Sequence, residues 1–389
     1  MTLTHPLLAR TEAVLGDLIA RPSVSSDSNL DIIVYLAEEL SALGAEIALS
    51  HDETGKKANL FATLGPDIDG GVVLSGHTDV VPVADQAWSS DPFQMRVDGD
   101  RLYGRGACDM KGFIACAIAA APLFAAADLK RPVHFAFTYD EETGCLGAKV
   151  LLAALKKSGR KPAVTIIGEP TLMKIIEGHK GCCEVTTRFA GLEGHGSLPA
   201  QGVNAVEYAV RYVGELLAIA EDLKARAPEA SRFDPPWTTI NLGGIRGGVA
   251  HNVIANHCEV DWEFRPVTRA DKTFVTERID RFAAETLVPE MQAVWPEAGI
   301  EAEWIGDVDG LEPMDDSEAV ALAHALTGGN AVDVVSFGTE AGLFQELGID
   351  TVVCGPGSIE QAHKPDEFVA RDQLVECLSM LERLIEKLT

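Results

Sequence analysis

Short apolar runs alternate with helix-length stretches along the first half of the chain. Gly71–Gly76 (GVVLSG), Val133–Thr138 (VHFAFT) and Val164–Gly168 (VTIIG) read as strands, and so, much later, does Thr351–Cys354 (TVVC). Runs that are apolar at every position, instead of every second one, mark strands covered on both faces. Lys111–Ala121 and Leu146–Leu155 lie between them and have helical length. This order predicts an α/β domain: a mainly parallel sheet with helices on both faces. The middle of the chain has a different rhythm. Glu184–Phe189 alternates, Asn204–Ala220 has helical period, and Thr238–Gly243 and Cys258–Phe264 alternate again. A long helical run over Asp271–Val294 and a strand over Ile300–Ile305 follow. The sequence β-α-β-β-α-β is that of a ferredoxin-like α+β unit. The expected organisation is therefore one domain from residues 1–178 and 307–389, interrupted by an inserted domain over 179–306. The main domain resumes with helices at Ser317–Leu326 and Gln373–Lys387.

Composition narrows the function classes more than the fold. The 389 residues exceed the roughly 250–300 at which a single core stops growing, which agrees with two domains. The 59 acidic against 32 basic side chains leave a net charge of −27, which opposes binding to nucleic acid or to an anionic membrane surface. The longest apolar stretch, Phe113–Ala127, contains Pro122 and is shorter than the ~18–20 residues of a membrane span, so it reads as a buried helix. The start, MTLTHPLLARTEAVLGDLIARP, lacks a basic region followed by an apolar run, so a cytoplasmic protein is expected. Eight cysteines without framework spacing fit reduced thiols and no thiolate metal site.

Ligands of open parallel sheets gather outside the carboxyl ends of the strands, and the candidate chemistry falls there. His77 and Asp79 follow GVVLSG; Asp109 lies in GRGACDMKG just ahead of a helix. Glu141 and Glu142 close VHFAFT, Glu169 closes VTIIG, and His363 follows TVVCGPGS. Imidazole and carboxylate without thiolate suit catalytic Zn²⁺, with Co²⁺ or Mn²⁺ as substitutes. Two histidines and three carboxylates give each of two metals three ligands if one carboxylate bridges. Metals ~3.5–4 Å apart around a shared water form a hydrolytic arrangement. Adjacent side chains leaving a strand point to different sides, so of Glu141 and Glu142 one can bind metal while the other serves as general base. Asp79 can turn back to accept the free N–H of the His77 ring. Ser197, in GHGSLP, lacks the Gly-x-Ser-x-Gly context of a nucleophile. Gly243–Gly248 (GGIRGG) lacks phosphate-loop spacing and reads as a flexible turn.

With SGHTDVVP, GRGACDMKG, DEETG and GEP in this order, the sequence resembles the M20 metallopeptidase family over nearly its whole length. Within it, FGTEAGLFQELGIDTVVCGPGSIEQAHKPDEF is similar to the acetylornithine deacetylase branch; the desuccinylase branch carries a TSD-type sequence at Thr339-Glu340-Ala341. The resemblance implies two zinc ions per subunit, with Asp109 bridging, His77 and Glu169 completing one site, and Glu142 and His363 the other. It implies Glu141 as the base, a cis peptide after Asp109, and an inserted domain acting as lid and dimerisation surface. From that domain His195 would reach the other subunit's site as an oxyanion donor. Asn252 and Arg265 match positions that bind the substrate carboxylate. Thr339 and the Gly355-Pro356-Gly357-Ser358 turn match substrate contacts of the main domain. The implied reaction is hydrolysis of N²-acetyl-L-ornithine to acetate and L-ornithine in arginine biosynthesis, by a homodimer acting on a small N-acyl amino acid. A desuccinylase or broader N-acyl-amino-acid amidohydrolase would share every metal residue. A non-catalytic dimeric metal- or amino-acid-binding protein is the reading from another class; an intact Glu141 beside a full ligand set argues against it. The partner of the substrate's ammonium, for which Glu340 is a tempting residue, stays unassigned.

Overall fold

The computed structural model describes residues 4–389, so the first three residues of the N-terminal stretch considered above lie outside the described residues. The chain divides into two compact units. One runs up to Gly178 and continues with Pro313–Val334 and Thr339–Thr389; the other is His179–Glu312 with Val335–Gly338.

The first unit is built on an eight-stranded sheet. Its order is Glu46–His51, Ala58–Leu64, Val133–Thr138, Val72–His77, Val164–Pro170, Asp350–Gly355, Ile175–His179 and Val332–Val335. The four middle strands of this order, from Val133–Thr138 to Asp350–Gly355, are parallel to one another. Two antiparallel strands flank them on one side. The sheet is thus α/β and mainly parallel at its centre. The alternation hidden in the all-apolar runs is visible in the packing. Leu60, Ala62, Val72, Leu74, Phe135, Phe137, Ile166 and Val352 face one core, into which helices Leu8–Ile19, Leu30–Ser41, Lys111–Ala126 and Arg371–Leu388 insert. Phe61, Val73, Ala136, Ile167 and Val353 are equally buried but lie outside that core; helices Leu146–Ser158 and Ala341–Glu346 pack on the sheet and on each other. Helices therefore cover both faces. The apolar stretch containing Pro122 is the helix Lys111–Ala126, with Pro122 inside it and most of its length buried. Among the described residues no helix is long and apolar enough to cross a membrane. All eight cysteines are free thiols.

In the second unit the strands Cys182–Ala190, Thr239–Gly247, His257–Arg265 and Gly299–Val308 form an antiparallel sheet in which Cys182–Ala190 lies between His257–Arg265 and Gly299–Val308. Helices Ala205–Ala225 and Arg269–Phe282 supply Tyr212, Leu216, Ile219, Val275 and Ile279 to a core shared with Val185, Val260, Trp262 and Phe264. This is the ferredoxin-like α+β order. Asn204 and Thr268 cap the two helices through their side-chain oxygens. Two details differ from expectation. The run expected as one long helix, Asp271–Val294, is broken by a π-helical turn, Ala283–Leu287. Pro289 has no amide to give to the carbonyl four residues back, and a wider turn absorbs the missing bond. GGIRGG is no flexible turn either: all but its last residue continue the strand Thr239–Gly247, with a register shift between Leu242 and Gly244 opposite His257–Arg265. Glycine is tolerated at such an irregularity, where the chain departs from regular pairing.

Candidate metal centre

Four adjacent parallel strands deliver the site. His77 ends the strand Val72–His77, where it pairs with Thr138, the last residue of its neighbour. Glu169 lies near the end of Val164–Pro170, Glu141 and Glu142 follow Val133–Thr138 after a bend, and His363 follows Asp350–Gly355. Asp109 arrives from the loop before helix Lys111–Ala126, and its bond to Met110 is cis. All five imidazole and carboxylate residues singled out as ligands therefore come together in the first unit. The two oxygens of Asp109 serve different histidines: Oδ1 lies 3.0 Å from His77 Nε2, and Oδ2 lies 3.4 Å from His363 Nε2. Each imidazole has a second carboxylate, Glu169 Oε1 at 3.7 Å from His77 Nε2 and Glu142 Oε2 at 3.0 Å from His363 Nε2. Glu141 falls with His77 and Glu169 in a group close enough to surround one ion; Glu142 falls with His77 and Asp109 in another.

The charges of this cluster fit divalent cations. Burial pushes the carboxyls of Glu141, Glu142 and Glu169 up, and neighbouring carboxylates push the same way. Burial also acts to raise Asp109, but hydrogen bonds from His363 and His77 outweigh it and hold its carboxyl below the usual range. For His77, burial opposes charge, yet Asp109, Asp79 and Glu169 together raise the imidazole well above its ordinary value. The carboxylates of Asp109 and Glu142 raise half-exposed His363 to about 10. The raised carboxyls and imidazoles together report burial and concentrated negative charge. Glu169 Oε1 is buried and without a hydrogen-bond partner. The Asp79 carbonyl lies 2.9 Å from His77 Nδ1 and can only accept, so the ring proton belongs on Nδ1 and Nε2 can offer its lone pair to a cation. Burial raises the nearby Cys145 thiol well above its usual range, which keeps it protonated and leaves oxygen and nitrogen as the donors.

Asp79 departs from its expected contact. The nearer acceptor for His77 Nδ1 is the backbone carbonyl, the carboxylate being 3.5 Å away. That carboxylate accepts instead from the amides of Glu141 and Glu142, at 3.0 and 3.3 Å, and from the Ser25 hydroxyl at 2.7 Å. With only Thr78 between His77 and Asp79, the main-chain carbonyl lies closer to the ring than the side chain does. The Glu141-Glu142 pair likewise leaves from a turn, not from strand alternation, since the strand ends at Thr138. Their partners still differ: Glu141 Oε1 is 3.6 Å from Cys145 Sγ, whereas Glu142 meets His363. Two residues without an assigned role hold this turn. Lys57 Nζ grips both oxygens of Asp140, at 2.5 and 2.6 Å, and Asp140 has a φ of 53° directly before Glu141. Within DEETG, Asp140 resembles the rest of an acidic run, and nothing in its spacing marks it.

The positions of this unit expected to contact substrate have structural duties of their own. Thr339 is buried and its hydroxyl accepts from the Ala341 amide. Gly355 pairs with the strand of Glu169 so closely that a Cβ would lie 2.0 Å from the Gly168 carbonyl oxygen. Gly357 has a φ of 92°, a region glycine enters without strain, and Ser358 caps a short helical turn through its hydroxyl. Glu340 does not face outward for an ammonium group. It is buried, accepting from the hydroxyls of Ser75 and Thr138 at 2.5 and 2.8 Å. In the second unit, His195 is exposed and pairs across a two-residue ladder with Val253, which brings it beside Asn252: the Gly196 amide donates to the Asn252 carbonyl at 2.7 Å. Arg265 is half-buried and ion-paired with Glu263 at 3.0 Å.

Residues 73–387 match peptidase family M20/M25/M40. The chain is 37% identical to an acetylornithine deacetylase of Salmonella typhimurium, across 90% of this chain and 91% of that protein. It is 37% identical to one of Proteus mirabilis, across 95% and 94%. Among solved structures it resembles the aminopeptidase PepT of Bacillus cereus, with a TM-score of 0.73 at 19% identity over 98% of both chains. It also resembles the Bacillus subtilis YXEP protein, a dinuclear metal binding peptidase from the M20 family, with a TM-score of 0.66 at 19% identity over 98% of both chains.

Proposed function

Because the chain belongs to peptidase family M20/M25/M40 and is a metal-dependent amidohydrolase, we propose that it hydrolyses N²-acetyl-L-ornithine to acetate and L-ornithine, a step of arginine biosynthesis. The observation that carries the reading is the division of the Asp109 carboxylate between two imidazoles, each with a carboxylate of its own. His77, Asp109 and Glu169 would hold one zinc ion, and Asp109, Glu142 and His363 the other. When bound, the two cations supply Lewis-acid polarisation of the amide carbonyl and a lowered pKa for the attacking water. Glu141 accepts a proton as water attacks the carbonyl carbon, and returns it to nitrogen as the C–N bond breaks. The Asp79 carboxylate keeps Glu141 and Glu142 in register by accepting both of their amides.

In this reading the unit around His179–Glu312 is a lid through which two copies of the chain associate. His195 is prepared for its part in it. The Ser197 amide donates to His195 Nδ1 at 3.2 Å, so the proton of the neutral ring belongs on Nε2, the nitrogen that would donate to an oxyanion in the other copy's site. Such a donor is worth about 3–4 kcal/mol of transition-state stabilisation. Asn252 and Arg265 would receive the substrate carboxylate, and Thr339, Gly355, Gly357 and Ser358 would shape the main-domain wall. The curated relatives' shared activity supports N²-acetylornithine.

The test is a substrate panel on one preparation with its metal content quantified. Two metal equivalents and a kcat/KM highest for N²-acetylornithine are expected. A preference for N-succinyl-diaminopimelate or N-acetylmethionine would transfer the chain to a desuccinylase or a broader acylase. No turnover of any of them by the fully loaded protein would leave a binding protein.

A further inference from the structure

Glu367 and Arg105 form an ion pair of 2.8 Å in which each side chain is only 1% exposed. Removing one partner of such a pair is strongly destabilising, because the other charge stays buried and uncompensated. The surroundings give the carboxylate a more particular task. Its Oε1 accepts from the amides of Cys108 and Asp109, at 2.8 and 3.0 Å, and its Oε2 accepts from Gly106 N at 3.0 Å as well as from Arg105. One side chain thereby fixes three amides of the loop that ends in Asp109. It stands four residues after His363, and Arg105 reaches back to the same segment by donating to the Lys364 carbonyl at 3.3 Å. Arg105 also donates to Gln86, whose amide nitrogen donates to the His363 carbonyl at 2.9 Å. The Asp109 loop and the His363 loop come from two separate segments of the unit's sequence; the pairing of Arg101–Tyr103 with Phe368–Ala370 joins the segments alongside, and this clasp ties the loops themselves together.

We propose that Glu367, with Arg105, is a positioning residue of the two-metal centre: it sets the separation of Asp109 from His363, on which simultaneous binding of two cations depends. The proposal rests on the two-metal reading of the site. The carboxylate suits the task for a definite reason. Four donors converge on its two oxygens, so an amide in its place aims an N–H group at donors whichever way it is turned.

The test starts from metal-depleted protein titrated with Co²⁺, read by calorimetry and by the visible ligand-field band. The unaltered chain is expected to take up two equivalents. E367Q, matched in shape, is expected to bind Co²⁺ about 10–100-fold more weakly and with a changed band, as loss of a group that orients ligands does. R105K, which keeps the charge and loses the fork, should show the same change to a smaller degree. D309N, which weakens an ion pair to Lys272 in the other unit, should lower stability and leave Co²⁺ affinity and band unchanged. Parental affinity and band in folded E367Q overturn the proposal, as does equal weakening in D309N, which would make the effect one of general stability. Should E367Q not be recovered folded, Q86A takes its place in the titration. It removes the link to the His363 carbonyl alone, so weakening of one equivalent supports the clasp and two unchanged equivalents overturn it. An unaltered chain that takes up no Co²⁺ overturns the two-metal reading itself, and the clasp's role with it.

Discussion

Glu141 is half-buried among like charges, with Glu142 adjacent to it in sequence and Asp109 and Asp79 near enough to oppose its ionisation. A carboxyl so placed suits proton transfer better than structural pairing, since desolvation and like charge raise its pKa well above the ordinary carboxylate value. Glu141→Ala is expected to keep both metals, as assayed by metal analysis, while kcat falls by about 10²–10⁴-fold, the usual contribution of a general base. Loss of one metal along with activity would instead make Glu141 a ligand. The residue scale is where sequence and structure diverge most. The ligand types and their order were legible because imidazole and carboxylate gathered at consecutive strand ends suit a cation far better than they suit packing or capping. The duties of Asp79 and Glu340 were not, because hydrogen-bond direction depends on which loop passes within about 3 Å.

Among the elements, the decisive feature is the adjacency of four parallel strands, which brings His77, Glu141, Glu142, Glu169 and His363 to one edge. The closeness of Asp350–Gly355 to Val164–Pro170 at Gly355 is part of that geometry, since Glu169 lies within the pairing. Gly355→Ala places a methyl group 2.0 Å from the Gly168 carbonyl oxygen, and backbone must move to admit it. A loss of about 1–3 kcal/mol is expected, the usual effect of overpacking, with weakened metal binding because the shift falls at Glu169. Urea unfolding and metal titration of the variant check both parts; parental values for both would show that the contact is soft. The buried strands were readable from their unbroken apolar runs. The edge strand Glu46–His51 was not, because none of its residues is fully buried and no apolar run marks it. GGIRGG was misread for a related reason: glycine signals turns and irregular strands equally, and only a pairing partner decides between them.

For the whole molecule, one part of the response to acid follows from a histidine that folding keeps neutral. Burial, aided by Arg160, lowers His134 to about 3, and its ring stacks on Phe61 within the first unit. The unfolded chain takes up this proton near pH 6.5, whereas the folded chain does not until about pH 3. The stability it contributes is therefore complete above pH 6.5 and is lost as pH falls toward 3, at about 1.4 kcal/mol per pH unit. His134→Gln should make the decline between pH 7 and pH 5 shallower in urea unfolding; an unchanged slope would show that His134 is not a source of it.

What the sequence determined by itself was the inventory: two kinds of sheet, read from runs and alternation, and a set of oxygen and nitrogen donors at strand ends with one carboxylate too few unless one is shared. These follow from local chemistry, because burial on one or two faces dictates pattern, and metal preference follows donor type. What only tertiary structure decided was which atoms meet. It divides Asp109 between His77 and His363 and supplies the turn that separates Glu141 from Glu142. It also closes Glu367 on the Asp109 loop, across 258 positions of the chain. No periodicity encodes such distances; they are set by the order in which strands lie in the sheet.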